Sequence, residues 1–167
     1  MSLFQEYPIR SAKISECGRY RWWLRREWRR IGDTYRKVCF VMLNPSTADA
    51  EIDDPTIRRC MGFTQAWEFD ILEVRNLFSF RATNPKELLV ADDPIGTKGD
   101  EHLQKAKRTN LLIAAWGTWV PFDREREALE MLSNKDIHCL EKTKNGSPKH
   151  PLYCSADLKP VLFKRAR

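Results

Sequence analysis

A chain of 167 residues that is 42% hydrophobic and 31% charged reads as one soluble globular domain with enough material for a core. No window approaches a membrane-spanning run, and the start MSLFQEYPIR lacks a signal peptide's apolar stretch, so a cytoplasmic protein with no membrane partner is expected. The formal charge of +6 fits a polyanionic partner and a merely solvated basic surface equally well. Five cysteines, an odd number with no CxxC pair, argue against a disulfide framework and against a zinc or iron–sulfur site. Reduced and mostly buried thiols are expected, with no metal and no cofactor.

Between Arg10 and Arg36 arginines are interleaved with Tyr20, Trp22, Trp23 and Trp28. As an extended segment, residues 19–29 place Tyr20, Trp22, Leu24 and Trp28 on one side and Arg19, Arg21, Arg25 and Arg29 on the other. A helix also fits, with Tyr20, Trp23, Leu24, Trp28 and Ile31 on one stripe. Aromatic density favours the strand, returning through Gly32-Asp33 into the next one. The Arg/Trp mixture suits stacking on nucleic acid, but core aromatics under Arg stems are the commoner arrangement.

Val38-Cys39-Phe40-Val41-Met42-Leu43 is a short continuous apolar run, the mark of a strand buried on both faces. It halts at Asn44-Pro45-Ser46-Thr47-Ala48-Asp49, where Pro45 cannot donate to a ladder. Asp53-Asp54-Pro55 then opens a helix to Trp67, with an Asp cap and Pro in the first turn. Phe63 falls on the inner stripe of that helix and reads as core. Residues 70–80 form a second strand, interrupted by Arg75-Asn76, and a buried amide there must find partners. Asn84-Pro85 opens a short helix, Lys98 to Lys107 a polar one. Residues 110–116 make a third strand, halted at Gly117, and Phe122 to Leu132 a further helix. Residues 136–141 make a fourth strand, leading into a loop with an Asn145-Gly146 turn that closes at His150-Pro151-Leu152-Tyr153. Trp116 and Trp119 fit either packing or a pocket wall, and His102 and His138 receive no role.

Four buried strands alternating with helices predict a three-layer α/β/α fold around a parallel four-stranded sheet, in the order 2-1-3-4. The segment at 19–28 should extend it antiparallel. One domain is expected, with residues 1–35 as an aromatic and basic extension and 36–155 as the core. Ligands in such sheets sit beyond the carboxyl ends of the strands. Asn44, Asn76, Trp116 and His150, each ending or interrupting a different strand, should therefore share a pocket.

These loops, in this order, resemble the uracil-DNA glycosylase superfamily over roughly Lys37 to Tyr153. There the first strand ends in a water-positioning motif, GQDPYH in one branch and an NPS or NPG type in others, and Met42 to Ser46, MLNPS, resembles the latter. Residues 74–82, VRNLFSFRA, resemble the strand whose Asn reads the flipped base. Residues 111–119, LLIAAWGTW, resemble the third strand, and His150-Pro151-Leu152-Tyr153 stands where HPSP follows the fourth. The chain is also identified as a member of an uncharacterised bacterial and phage family marked by LNPSTAD, DDPTIRR, WG and HPLY.

The resemblance implies a DNA base glycosylase that hydrolyses an N-glycosidic bond to uracil or a modified base, with DNA as partner and a monomeric chain. It implies Asn44 as the water-orienting residue and His150 as a donor to the departing base. Asp49, Asp53 and Asp54 are nearby carboxylates that could serve as the catalytic base, of which Asp54 is read as the helix cap and Asp49 is the one to watch. Asn76, Ser46 and Trp116 would hold the base, and Arg81, Lys149 and Arg165 the DNA. The carboxylate of GQDPYH is absent, and Leu152-Tyr153 replace Ser-Pro. Two other readings stand beside this one. A non-catalytic glycosylase-fold protein would bind nucleic acid or a protein partner, and a small-molecule enzyme would act on a nucleoside or nucleotide.

Overall fold

The computed structural model describes residues 8–28 and 34–167. The Gly32-Asp33 turn, Arg29 and Ile31 lie outside them. Seven strands form one sheet in the order β1-β2-β4-β3-β5-β6-β7. They are β1 (Ile9–Ile14), β2 (Arg21–Glu27), β3 (Lys37–Met42), β4 (Ile71–Asn76), β5 (Leu111–Ala114), β6 (Ile137–Cys139) and β7 (Val161–Lys164). Among the described residues three α-helices complete the frame: α1 (Pro55–Ala66), α2 (Gly99–Gln104) and α3 (Arg124–Met131).

The centre, β4-β3-β5-β6, is parallel throughout. β3 is buried on both faces. Val38, Phe40 and Met42 join the cluster under α1, with Ile57, Cys60 and Phe63. Cys39 and Val41 face the other layer, with Leu103, Ala106, Ala128 and Leu132. This two-sided burial explains the unbroken apolar run, since neither face of a sandwiched strand meets water. Helix α1 begins as its sequence dictates: Asp54 Oδ1 accepts from Ile57 N at 2.8 Å, and Pro55 occupies the first turn.

The sheet is wider than the four expected strands, and the N-terminal segment is a hairpin rather than one strand. β2 pairs antiparallel with β4, not with β3, and β1 lies outside it. At the other side β7, beyond the expected core boundary at 155, pairs antiparallel with β6. Its signal is three apolar residues after Pro160, too short to show as a period. The parallel strands are also shorter than read. Beyond Asn76 the regular strand ends but pairing continues: Leu77 N and Phe78 N still donate to Met42 O and Leu43 O, and the chain turns away only where Phe80 N donates to Pro94 O.

A change of register in the hairpin matters for the site. Ile14 stands opposite Arg21 and Lys13 opposite Trp23, so Trp22 is an extra residue on β2. A bulge of this kind reverses the inward–outward alternation on its two sides and re-aims a side chain. Arg21, read from the pattern as solvent-facing, is buried, as is Arg26. Both reach the loop after β3: Arg21 donates to Ala48 O at 2.9 Å and Arg26 to Asp49 O at 2.7 Å.

All five cysteines are free, four of them buried. Among the described residues no helix is long and apolar enough to cross a membrane.

Candidate functional site

Parallel strands align their carboxyl ends, so the loops after β3, β5 and β6 emerge on one edge of the sheet. There they enclose a cavity of about 550 Å³, whose lining includes Asn44, Ser46, Trp116 and His150. Four residues named from the sequence thus meet, although more than a hundred positions separate the first from the last.

Asn44 is held by its own amide. Its Nδ2 donates to Pro45 O at 3.0 Å and to Ala82 O at 2.8 Å, which ties the loop after β3 to the loop after β4. Both N–H groups are thereby used, and only the Oδ1 acceptor is left for a water or ligand. His150 accepts at Nδ1 from Leu152 N at 3.3 Å, capping the short turn at 151–153. That bond assigns the ring proton to Nε2, making it a neutral donor. Burial pushes the imidazole below its ordinary pKa, opposed by the charge of Asp54, so the neutral form prevails at pH 7. Trp116 is buried and donates from Nε1 to Glu125 Oε1 at 3.0 Å, so its one donor is already used. Trp119 is exposed and does not line the cavity.

Other named residues stand elsewhere. Asp49 does not line the cavity. Its Oδ1 accepts from Glu51 N and Ile52 N, both at 2.8 Å, and these bonds hold its carboxyl below the usual range. The carboxylate in the lining is Asp54, which spends Oδ1 on the helix cap. Asn76 is buried and lies behind the wall: Arg21 donates to its Oδ1 at 3.3 Å. Arg81 braces loops, donating to Ser46 O at 3.4 Å and Gly18 O at 3.2 Å. Lys149 pairs with Glu141 at 3.1 Å.

Arg165 is on the wrong edge. β7 runs antiparallel to β6, so residue 165 lies near the start of β6, where it faces Asp136 at 4.0 Å. Arg165 therefore belongs to the amino edge of the sheet, away from the cavity.

Arg21 is the cationic lining residue that sequence reasoning missed. An antiparallel strand brings its first residue, not its last, to this edge, and the bulge turns that residue inward. Neither fact is visible in the alternation of residues 19–28. Burial lowers its guanidinium to about 10, opposed by the charge of Asp54.

Among the described residues no group of three or more His, Cys, Asp or Glu is placed to hold a metal ion. A protein-family model matches residues 21–152, and its description reads Protein of unknown function (DUF1643). No curated protein and no solved structure matches the chain.

Proposed function

The chain belongs to the DUF1643 family, and we propose that its carboxyl-edge cavity is a nucleobase site at which an N-glycosidic bond in DNA is hydrolysed. The observation that carries this reading is convergence. Asn44 and Ser46, Trp116, and His150 arrive from three separate strand ends on one cavity, as the resemblance to uracil-DNA glycosylases implies. Excision requires the nucleotide to leave the stack, the base to be held, and the charge on the departing base to be met by a placed donor.

His150 Nε2–H supplies that donor while the imidazole is neutral. Asn44 Oδ1 accepts from a water but cannot take its proton. In this reading water adds to C1′ as the C1′–N bond breaks, the electron pair departs with the base, and the water's proton passes to Asp54. Trp116 forms an apolar wall. DNA is the partner, and the protein acts as a monomer without a cofactor.

A non-catalytic reading, in which the cavity binds nucleic acid or a protein partner's side chain, draws on one observation. The amide N–H groups of Asn44 and one carboxylate oxygen of Asp49 are committed to holding loops.

The test is a panel of single-stranded oligonucleotides carrying uracil or modified pyrimidines, treated with alkali after incubation. Wild-type protein should produce breakage at one class of base. His150→Ala should slow it by about 10²–10³-fold, the usual loss for one donor to developing charge. Binding of the oligonucleotides with no breakage on any base would sink the hydrolase and leave the non-catalytic reading.

A further inference from the structure

Four arginines are buried among the described residues: Arg21, Arg26, Arg75 and Arg124. Three have a carboxylate partner. Arg26 meets Asp53 at 2.8 Å, Arg75 meets Glu73 at 3.3 Å, and Arg124 meets Asp100 at 2.6 Å. Arg21 donates to a carbonyl and to an amide oxygen, and forms no ion pair among the described residues. It is also the one of the four that lines the cavity. A buried charge is ordinarily paired, because the uncompensated state is costly.

The surroundings sharpen this. A guanidinium carries five N–H donors, and the bonds to Ala48 O and Asn76 Oδ1 use two of them. Its Nε and the Nδ2 of Asn76 are buried without a hydrogen-bond partner. The contact with Arg21 also settles which way the Asn76 amide points, since the reverse orientation would set donor against donor. Asn76 thus gives one lone pair of its acceptor to Arg21, and the two atoms of the pair left without a partner, Arg21 Nε and Asn76 Nδ2, are both donors. An Asn that reads a base edge directly offers a donor and an acceptor. The charges acting on Arg21 are mixed, with Asp54 and Asp49 favouring the cation and Arg81 and Arg26 opposing it.

We infer that Arg21 is the recognition group of this cavity, that it takes an anionic, acceptor-only group of the ligand, and that Asn76 is a positioning residue behind it. A carboxylate on a pyrimidine ring and a nucleotide phosphate share that chemistry. The inference deepens the nucleobase reading and rests on it for the ligand being a base or nucleotide. A neutral base edge with its own N–H facing Arg21 is excluded by the same donors.

The experiment titrates wild-type protein with four probes: uracil-5-carboxylate, thymine as its uncharged counterpart, inorganic phosphate, and deoxyuridine 5′-monophosphate. Two readouts are followed, melting temperature and the arginine Nε–H resonances, with the Arg21 signal assigned from its absence in Arg21→Lys. Uracil-5-carboxylate or the monophosphate should raise the melting temperature and move the Arg21 resonance, while thymine should do neither. Arg21→Gln should bind the active probe about 10–100-fold more weakly, the loss for a charge-assisted bond. Asn76→Ala should weaken it less and broaden the Arg21 resonance, as expected of a residue acting through another.

A response to uracil-5-carboxylate alone identifies a base-borne anion, and a response to the monophosphate or phosphate alone identifies a phosphate. If Arg21→Gln does not fold, the wild-type resonance decides. An Arg21 signal unmoved by every anionic probe overturns the inference, as does equal binding of thymine. Anion binding without excision on any oligonucleotide would remove the hydrolase reading and leave the anion site standing. Excision indifferent to Arg21→Gln would do the opposite.

Discussion

His102 offers a stability experiment whose size follows from the structure. It lies on α2, only 5% exposed, with its ring stacked on Trp22 at 5.8 Å and its carbonyl accepting from Arg75 at 2.6 Å. Burial first, and then the positive charges of Lys105 and Arg75, lower its pKa from 6.5 to about 4. The folded value lies below the unfolded one, so as pH falls the unfolded chain takes up the proton first. Stability should therefore drop between pH 6.5 and 4. Linkage puts the loss from this residue at about 2 kcal/mol by pH 5 and about 3 kcal/mol at its limit. Urea denaturation at pH 7 and pH 5 measures it. His102→Gln cannot titrate, so between those two values it should lose about 2 kcal/mol less than wild type. His150, also depressed by burial, adds to the acid sensitivity of both proteins and cancels in the difference. Equal losses in the two proteins would refute the reasoning.

Three further outcomes are expected. Asn44→Asp would face a carboxylate towards Pro45 O and Ala82 O in place of two donated bonds, and should cost about 2–3 kcal/mol in thermal denaturation; an unchanged melting temperature would show that those bonds do not hold the loops. Gly96 has φ +81, and a Cβ there would lie 2.8 Å from Tyr20 Cδ1 and 2.9 Å from the Trp22 ring. Gly96→Ala should destabilise by about 1–3 kcal/mol, measured by urea denaturation, and a neutral result would mean that the Tyr20 and Trp22 rings, stacked on each other at 5.4 Å, yield freely. Arg165→Ala should leave oligonucleotide affinity unchanged in a fluorescence titration at low salt, because residue 165 lies at the amino edge; a several-fold loss would show that the contact surface reaches that far.

Most of what could be read in advance is local. The apolar run of β3, its halt at Asn44-Pro45, and the Asp54-Pro55 start of α1 each depend on neighbours a few residues away. The placing of Asn44, Trp116 and His150 is not local, but it follows from a general rule, because parallel strands bring their carboxyl ends together. Arg21 was hidden for two non-local reasons: β2 runs antiparallel to β4, and one bulged residue reverses its faces. The pairing of β7 with β6 was hidden too, since only the partner strand makes three apolar residues into an edge. Asp49 stands between these cases. Its Oδ1 is used by amides two and three residues onward, a turn common after Asp, whereas its distance from the cavity depends on the whole loop.

The bulged hairpin bears on how the molecule can be divided. A fragment beginning at Lys37 would look complete by its alternation of strands and helices. Yet it would leave the hydrogen-bonding edge of β4 open to other chains, a known route to aggregation. It would also strip Asp53 of Arg26 and Arg10, which meet it at 2.8 and 3.0 Å, and leave the cavity without its guanidinium. Expression trials that trim the N-terminus in search of a minimal domain would then yield material that is both less soluble and blind to the ligand. Losing solubility and binding in one truncation would look like general misfolding, although the missing part is one hairpin and the arginines it carries.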